Sequence, residues 1–203
     1  MTANLPVDWA LRPIGELADV VGGGTPRRSR PELFGGSIPW LTPTDLPTTT
    51  VVPEISASAE TLTEEGLRSS SARLVPAGTV IYSSRATIGK VAIAGVPLAT
   101  NQGFANFIPR PGLDNRYLAY SLKAITPMVK AIAGQTTFPE ISKSEFKRLS
   151  IPVPPLDEQR RIVSKLEEML KRLEEVRALQ QAANADLDSL ARSILLGAFL
   201  GAL

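Results

Sequence analysis

The placement of proline and glycine constrains this chain more than any other feature. All 17 prolines lie between Pro6 and Pro155, and the 41 residues from Leu156 to Leu196 contain neither proline nor glycine. Proline removes a backbone donor and breaks a helix interior, and glycine weakens one, so a stretch free of both is open to a single uninterrupted helix. Ten of the eleven aromatic residues and 13 of the 15 glycines precede Pro155. Residues 1–153 therefore read as a turn-rich domain with its own core, and residues 154–203 as a helical region.

The helix start is marked by Pro154 and Pro155, followed by Asp157 and Glu158 in the first turn, where carboxylates suit the positive end of the helix dipole. Gly197 is the first expected break. Steps of four and three residues select Ile162, Leu166, Met169, Leu173, Val176, Gln180, Ala183, Leu187, Leu190 and Ile194, of which nine of ten are apolar. A 3.5-residue apolar repeat is a coiled-coil seam. It spans roughly 48 Å at 1.5 Å per residue, more than a small domain covers by itself, and so calls for a partner helix. The competing reading is a helix folded back on the first domain as ordinary core. Gln180 favours pairing: near the middle of the seam, an antiparallel two-fold arrangement of two copies would set it beside its own symmetry mate, where two amides satisfy each other.

Within the first domain, turn signals bound strand candidates at Thr79–Tyr82, Lys90–Ile93, Phe104–Ile108 and Leu149–Val153. Helices are expected at Thr63–Ser69, Asn115–Ala133 and Lys143–Leu149. They do not alternate as βαβ units, so the fold class is mixed α+β.

The chain contains no histidine and no cysteine. The commonest general base, the thiolate nucleophile and the commonest soft metal ligands are thus missing, and no metal-ligand spacing is present. A binding role moves ahead of catalysis. Net charge is only +2, but residues 85–148 carry 9 Lys+Arg against 3 Asp+Glu, a local surplus that suits a polyanion as well as a solvated surface. No charged start precedes an apolar core at the N-terminus, and no apolar run reaches the ~18 residues of a membrane span, so a cytoplasmic protein is expected.

Four polar loops carry chemistry suited to nucleic acid. Gly22-Gly23-Gly24-Thr25-Pro26 lacks the spacing of either nucleotide-binding glycine fingerprint, but leads into Arg27, Arg28 and Arg30. Ser84-Arg85 lies between two strand candidates, and Asn101-Gln102 precedes a third. Gln135 and Thr137 follow the long helix. Arginine pairs with guanine and Asn or Gln with adenine, so these nine residues form the candidate DNA-binding set. Taken singly, each of the last three loops reads more readily as a satisfied turn than as a reader of bases; the three together, inside the basic stretch, shift the balance.

The order GGGTP at 22–26, IPWLTPTDL at 38–46, GLRSSSARLVPAGTVIYSSRATIGKVAI at 66–93, TNQGF at 100–104 and ISKSEFKRLSIPVPPLDEQRRIVSKLE at 141–167 resembles the specificity subunit of type I restriction-modification systems. The PPLDEQRRIV segment is the most specific part of that likeness. RSILLGAFLGAL also matches, with Ala202 where a Glu is common. The resemblance implies a DNA target-recognition domain followed by a helical spacer, an arrangement that full-length members carry twice. One copy of each implies a half-subunit: a homodimer whose spacers pair antiparallel and whose two domains read a bipartite, inverted-repeat site. It further implies that methyltransferase and restriction-translocation subunits supply catalysis, S-adenosylmethionine binding the former, and that this chain needs no cofactor. A coiled-coil assembly or inhibitory protein that binds those subunits without reading DNA is the alternative.

Overall fold

Strand β1 (Ala10–Pro13) pairs antiparallel with β10 (Ser150–Val153), so that Ala10 faces Val153 and the two ends of the first domain are tied together. A computed structural model describes residues 5–134 and 139–200 of the chain. A short helix, α1 (Ile14–Leu17), leads from β1 into β2 (Ala18–Gly22), the edge of a five-stranded sheet. The order in that sheet is β2, β9 (Phe104–Pro109), β6 (Val80–Ser83), β7 (Val91–Ala94), β4 (Glu54–Ile55); only the β4–β7 pairing is parallel. A three-stranded sheet sets β3 (Phe34–Leu41) between β5 (Glu60–Leu62) and β8 (Ala99–Thr100).

Three helices expected from the sequence form within a residue of their predicted ends. Helix α2 (Glu64–Arg68) is capped by Thr63, whose hydroxyl accepts from the Gly66 N–H at 3.0 Å. Helix α3 (Asn115–Ala133) is capped by Asp114 and lies against β6 and β7. Helix α4 (Lys143–Arg148) opens with a capping box: the Ser142 hydroxyl accepts from the Glu145 N–H, and the Glu145 carboxylate accepts from the Ser142 N–H. Hydrogen bonds donated by the Ser142 hydroxyl (2.6 Å) and N–H (2.8 Å) hold the Glu145 carboxyl below its ordinary pKa.

The sheets bury what the apolar pattern promised. Tyr82, Phe107 and Phe146 meet edge to face, with centroids 5.1–6.5 Å apart, and a second cluster joins Leu41, Ile81, Leu98 and Phe104. Trp40 is fully buried, meeting Phe34 edge-on.

Helix α5 (Leu156–Phe199) begins where the two prolines end. It runs through Gly197 rather than breaking there, since one glycine costs a helix only about 1 kcal/mol relative to alanine. Two compact units divide at Val163/Ser164, so the first two turns of α5 belong with the globular unit, ten residues beyond the expected division after Val153. The physical reason is Gln159, whose buried amide donates to the carbonyls of Gly112 (3.0 Å) and Pro154 (2.9 Å) and accepts from the Asp114 N–H (2.8 Å). In the second unit, Met169, Leu173, Val176, Leu187, Leu190 and Ile194 are all exposed.

Candidate nucleic-acid interface

Three of the loops singled out in the sequence, at 22–26, 84–85 and 101–102, converge through a chain of hydrogen bonds. The Trp40 indole donates to the Gly24 carbonyl (3.0 Å), the Gly24 N–H donates to the Thr100 carbonyl (2.9 Å), and the Thr25 hydroxyl bonds the Gln102 side chain. Asn106, buried in β9, donates to the Thr100 hydroxyl at 2.8 Å and holds that junction from below. The Asn101 carboxamide accepts from the Gly103 N–H (2.9 Å), forming a local turn, and the Gly103 carbonyl accepts from both the N–H and the hydroxyl of Ser84. From Ser84 the network passes to the Ile141 N–H and, through Ala86, to the Pro139 carbonyl.

Glycine is required where the first two loops cross. A Cβ on Gly23 would collide with the carbonyl oxygens of Thr100 and Asn101. Gly23→Ala is therefore expected to destabilise the chain by about 3 kcal/mol, the upper part of the overpacking range, which lowers Tm by roughly 6–12 °C for a domain of this size. Thermal unfolding followed by circular dichroism checks this, and an unchanged Tm would contradict the crossing.

The loop from Thr42 to Thr50 joins the same face, although its residues were absent from the sequence-derived set. Two lysines hold it. Lys90 donates to the carbonyls of Pro43 (2.9 Å) and Leu46 (2.7 Å), and Lys123 to those of Thr49 (2.6 Å) and Thr50 (3.0 Å). Asp45 closes its base. Burial pushes that carboxyl up, but hydrogen bonds from the Ala59 N–H and from Thr42 outweigh it and leave the pKa below the ordinary carboxylate value. Between this loop and residues 86–91 lies a cavity of about 520 Å³, lined among others by Thr48, Thr49, Thr87, Lys123 and Lys130. Ala86 adopts a left-handed conformation at its rim (φ 59°), a backbone state that costs a non-glycine residue about 1 kcal/mol and clusters at ligand-facing turns.

The nine sequence-derived residues fall into distinct environments. Arg27 is exposed, and among the described residues its guanidinium has no carboxylate partner. Arg28 pairs with Glu60 at 2.6 Å and stacks over Phe34 and Trp40, 4.9 and 5.0 Å from their centroids, while Arg30 bonds Glu32 (2.7 Å) and Glu65 (2.8 Å). The bond to Glu32 comes first among the influences that raise the Arg30 pKa. Arg28 and Arg30 thus hold the loop instead of projecting freely. Ser84 is buried, and its hydroxyl donates to the Gly103 carbonyl within the turn. Arg85 is partly exposed, 4.0 Å from Glu140; the Asn101 side-chain oxygen closes a local turn on Gly103, and Gln102 is exposed with its carboxamide oxygen bonded to Thr25. Gln135 and Thr137 lie outside the described residues.

The basic surplus of residues 85–148 is likewise divided. Lys90 and Lys123 serve main-chain carbonyls, and Arg110 pairs with Asp19 at 2.6 Å. Lys130, Lys143, Lys147 and Arg148 are exposed cations. Among the described residues no three Asp or Glu side chains converge in a way that would hold a metal ion, and no helix is long and apolar enough to cross a membrane.

The architecture is thus a mixed-sheet domain whose polar loops share one hydrogen-bond network, followed in the chain by a long helix with an exposed apolar stripe. Residues 6–184 match the family model of the type I restriction modification DNA specificity domain, and the chain belongs to that family. It is 41% identical over 165 residues to the MjaIX type I restriction enzyme specificity subunit of Methanocaldococcus jannaschii, covering 80% of this chain and 38% of that one. It is 32% identical over 168 residues to the EcoR124I/EcoR124II specificity subunit of Escherichia coli, covering 79% and 40%. The chain therefore spans about 40% of the length of these relatives. Among solved structures, it resembles the HsdS subunit of Thermoanaerobacter tengcongensis (TM-score 0.73, 26% identity, 100% of this chain and 47% of that one). It also resembles a chain from a structure of type I restriction-modification complex assembly and conformational transition (TM-score 0.81, 26% identity, 98% and 47%).

Proposed function

We propose that this chain is a non-catalytic DNA-reading subunit of a type I restriction-modification system. The family match over residues 6–184 carries the reading, and the loop network supplies a face on which it would operate. Two copies pair through the seam of α5, antiparallel, and present their recognition domains to the two halves of one split site. With roughly 48 Å of spacer and ~34–36 Å per turn of B-DNA, the half-sites lie more than one turn apart, centre to centre. Methyl transfer from S-adenosylmethionine and DNA cleavage belong to the methyltransferase and restriction-translocation subunits that the pair recruits. The absence of histidine and cysteine supports that division of labour.

Co-expression with the methyltransferase of its own system, followed by sequencing of the host genome for methylated bases, tests the proposal. A palindromic split motif is the expected result, relaxed at one or more positions in each half when Arg85→Ala or Gln102→Ala is introduced. No motif at all would refute the DNA-reading role. An asymmetric motif would refute homodimeric pairing in favour of a different recognition chain as partner.

A further inference from the structure

We propose that Gly22, Ser71, Arg73 and Lys143 form a seat for one phosphodiester group of duplex DNA, an inference that rests on the DNA-reading role above. A cleft of about 300 Å³ is lined by Val20, Val21, Gly22, Gly23, Ser71, Arg73 and Lys143. It is assembled from three separate stretches of chain: the end of β2, the segment after α2 and the first residue of α4.

Gly22 makes the cleft possible. Its missing side chain leaves room for the Lys143 ammonium, which would stand 2.7 Å from a Cβ built there. Arg73 approaches the same space from the segment after α2, and both cations are exposed. The nearby carboxylates are occupied elsewhere: Glu145 accepts from the Ser142 N–H (2.8 Å) and hydroxyl (2.6 Å), and Asp19 on β2 is paired with Arg110 at 2.6 Å. Two positive donors and the Ser71 hydroxyl, with no acid paired to either cation among the described residues, match a singly charged group with two acceptor oxygens.

The seat also lies beside the loop crossing. Gly24 and Thr25, the next residues along, join Thr100 and Gln102, so a phosphate held at Gly22 would set the register of the duplex against the candidate reading loops. Phosphate contacts orient a protein on DNA without reading bases. The glycine run thus acts on a nucleic-acid backbone, although its spacing fits no nucleotide-binding fingerprint.

The test measures affinity for a mixed-sequence duplex across a salt series, using the full chain in complex with its methyltransferase. Each neutralised phosphate contributes about 0.9 to the slope of log affinity against log salt. Arg73→Gln combined with Lys143→Gln is expected to make the slope shallower by about 0.9, with the split methylation motif retained at lower occupancy. Gly22→Ala keeps both charges, and the ammonium it would touch sits at the end of a flexible side chain that swings aside cheaply, so its slope is expected to stay near that of the unmutated chain. Lys147→Gln, on α4 but outside the cleft, serves as the control for general loss of charge. An unchanged slope in the double variant, or an equal change in Lys147→Gln, would overturn the seat while leaving the motif of the wild-type chain, and with it the DNA-reading role, intact. Loss of the motif in the wild-type chain would instead overturn both.

Discussion

Leu173→Asp combined with Leu187→Asp is expected to reduce the mass of the chain in solution from twice its 21.7 kDa to that of a single copy. Both leucines lie on the seam of α5, and both are exposed in the single chain, by 40% and 62%. An apolar stripe of this length left in water favours association, and the heptad spacing selects a second helix as its cover. A carboxylate at either position would have to be buried unpaired between two helices, which costs several kcal/mol per site. With antiparallel pairing each substitution occurs twice in the interface, so the effect is loss of the dimer, not a modest shift in affinity. Light scattering on the unmutated chain and the double variant decides it, and a monomeric unmutated chain would sink homodimeric pairing. In the methylation assay the double variant should produce no bipartite motif, because one recognition domain cannot address two half-sites.

Replacing Gln159 should produce the largest loss of stability from a single side chain. Its amide serves three main-chain groups, two carbonyls and one N–H, at a position of zero solvent exposure. Gln159→Leu fills the volume but leaves those groups without partners. At about 1–3 kcal/mol for each unsatisfied buried group, partly relieved by relaxation, the expected loss is roughly 4 kcal/mol. Gln159→Glu is expected to be at least as damaging, because it turns both donor contacts into a carboxylate facing two carbonyl oxygens. Denaturant unfolding measures both, and a loss below about 1 kcal/mol in Gln159→Leu would show that the three bonds contribute little. Gln159 secures the first turns of α5 within the globular unit, and Val163, one turn further on, is buried beside it in sequence.

The sequence reading succeeded where the signal was local. Helix α3 was legible to the residue, despite Pro127 in its interior, because its apolar period and Asp114 cap are properties of one contiguous stretch. Strands β6, β7, β9 and β10 were found to within about a residue for the same reason. Strands β1 to β5 and β8 were missed. Several are only two to four residues long, and β3 contains Gly35, Gly36 and Pro39, which individually argue against a strand. Such segments become strands because a partner satisfies their backbone, as Leu62 and Ala99 do for β3 from either side.

The candidate site shows the same division. Its loops could be placed because glycine, proline and polar clusters punctuate the chain, but their individual roles could not. Arg28 and Arg30 look like free cations until Glu60, Glu65 and the Trp40 ring are brought against them from distant sequence. Lys90 and Lys123 count as positive surface in a charge tally, yet their ammonium groups bind the loop from Thr42 to Thr50. By itself, the sequence determined that the chain divides near Pro155 into a turn-rich domain and a long helix, because proline, glycine and the heptad period act on the backbone locally. Only the tertiary structure decided which cations remain for a ligand, where the globular unit ends on α5 and how the loops cross. Those outcomes depend on partners dozens of residues apart, whose pairing is set by sheet register and by where each buried polar group finds its hydrogen bond.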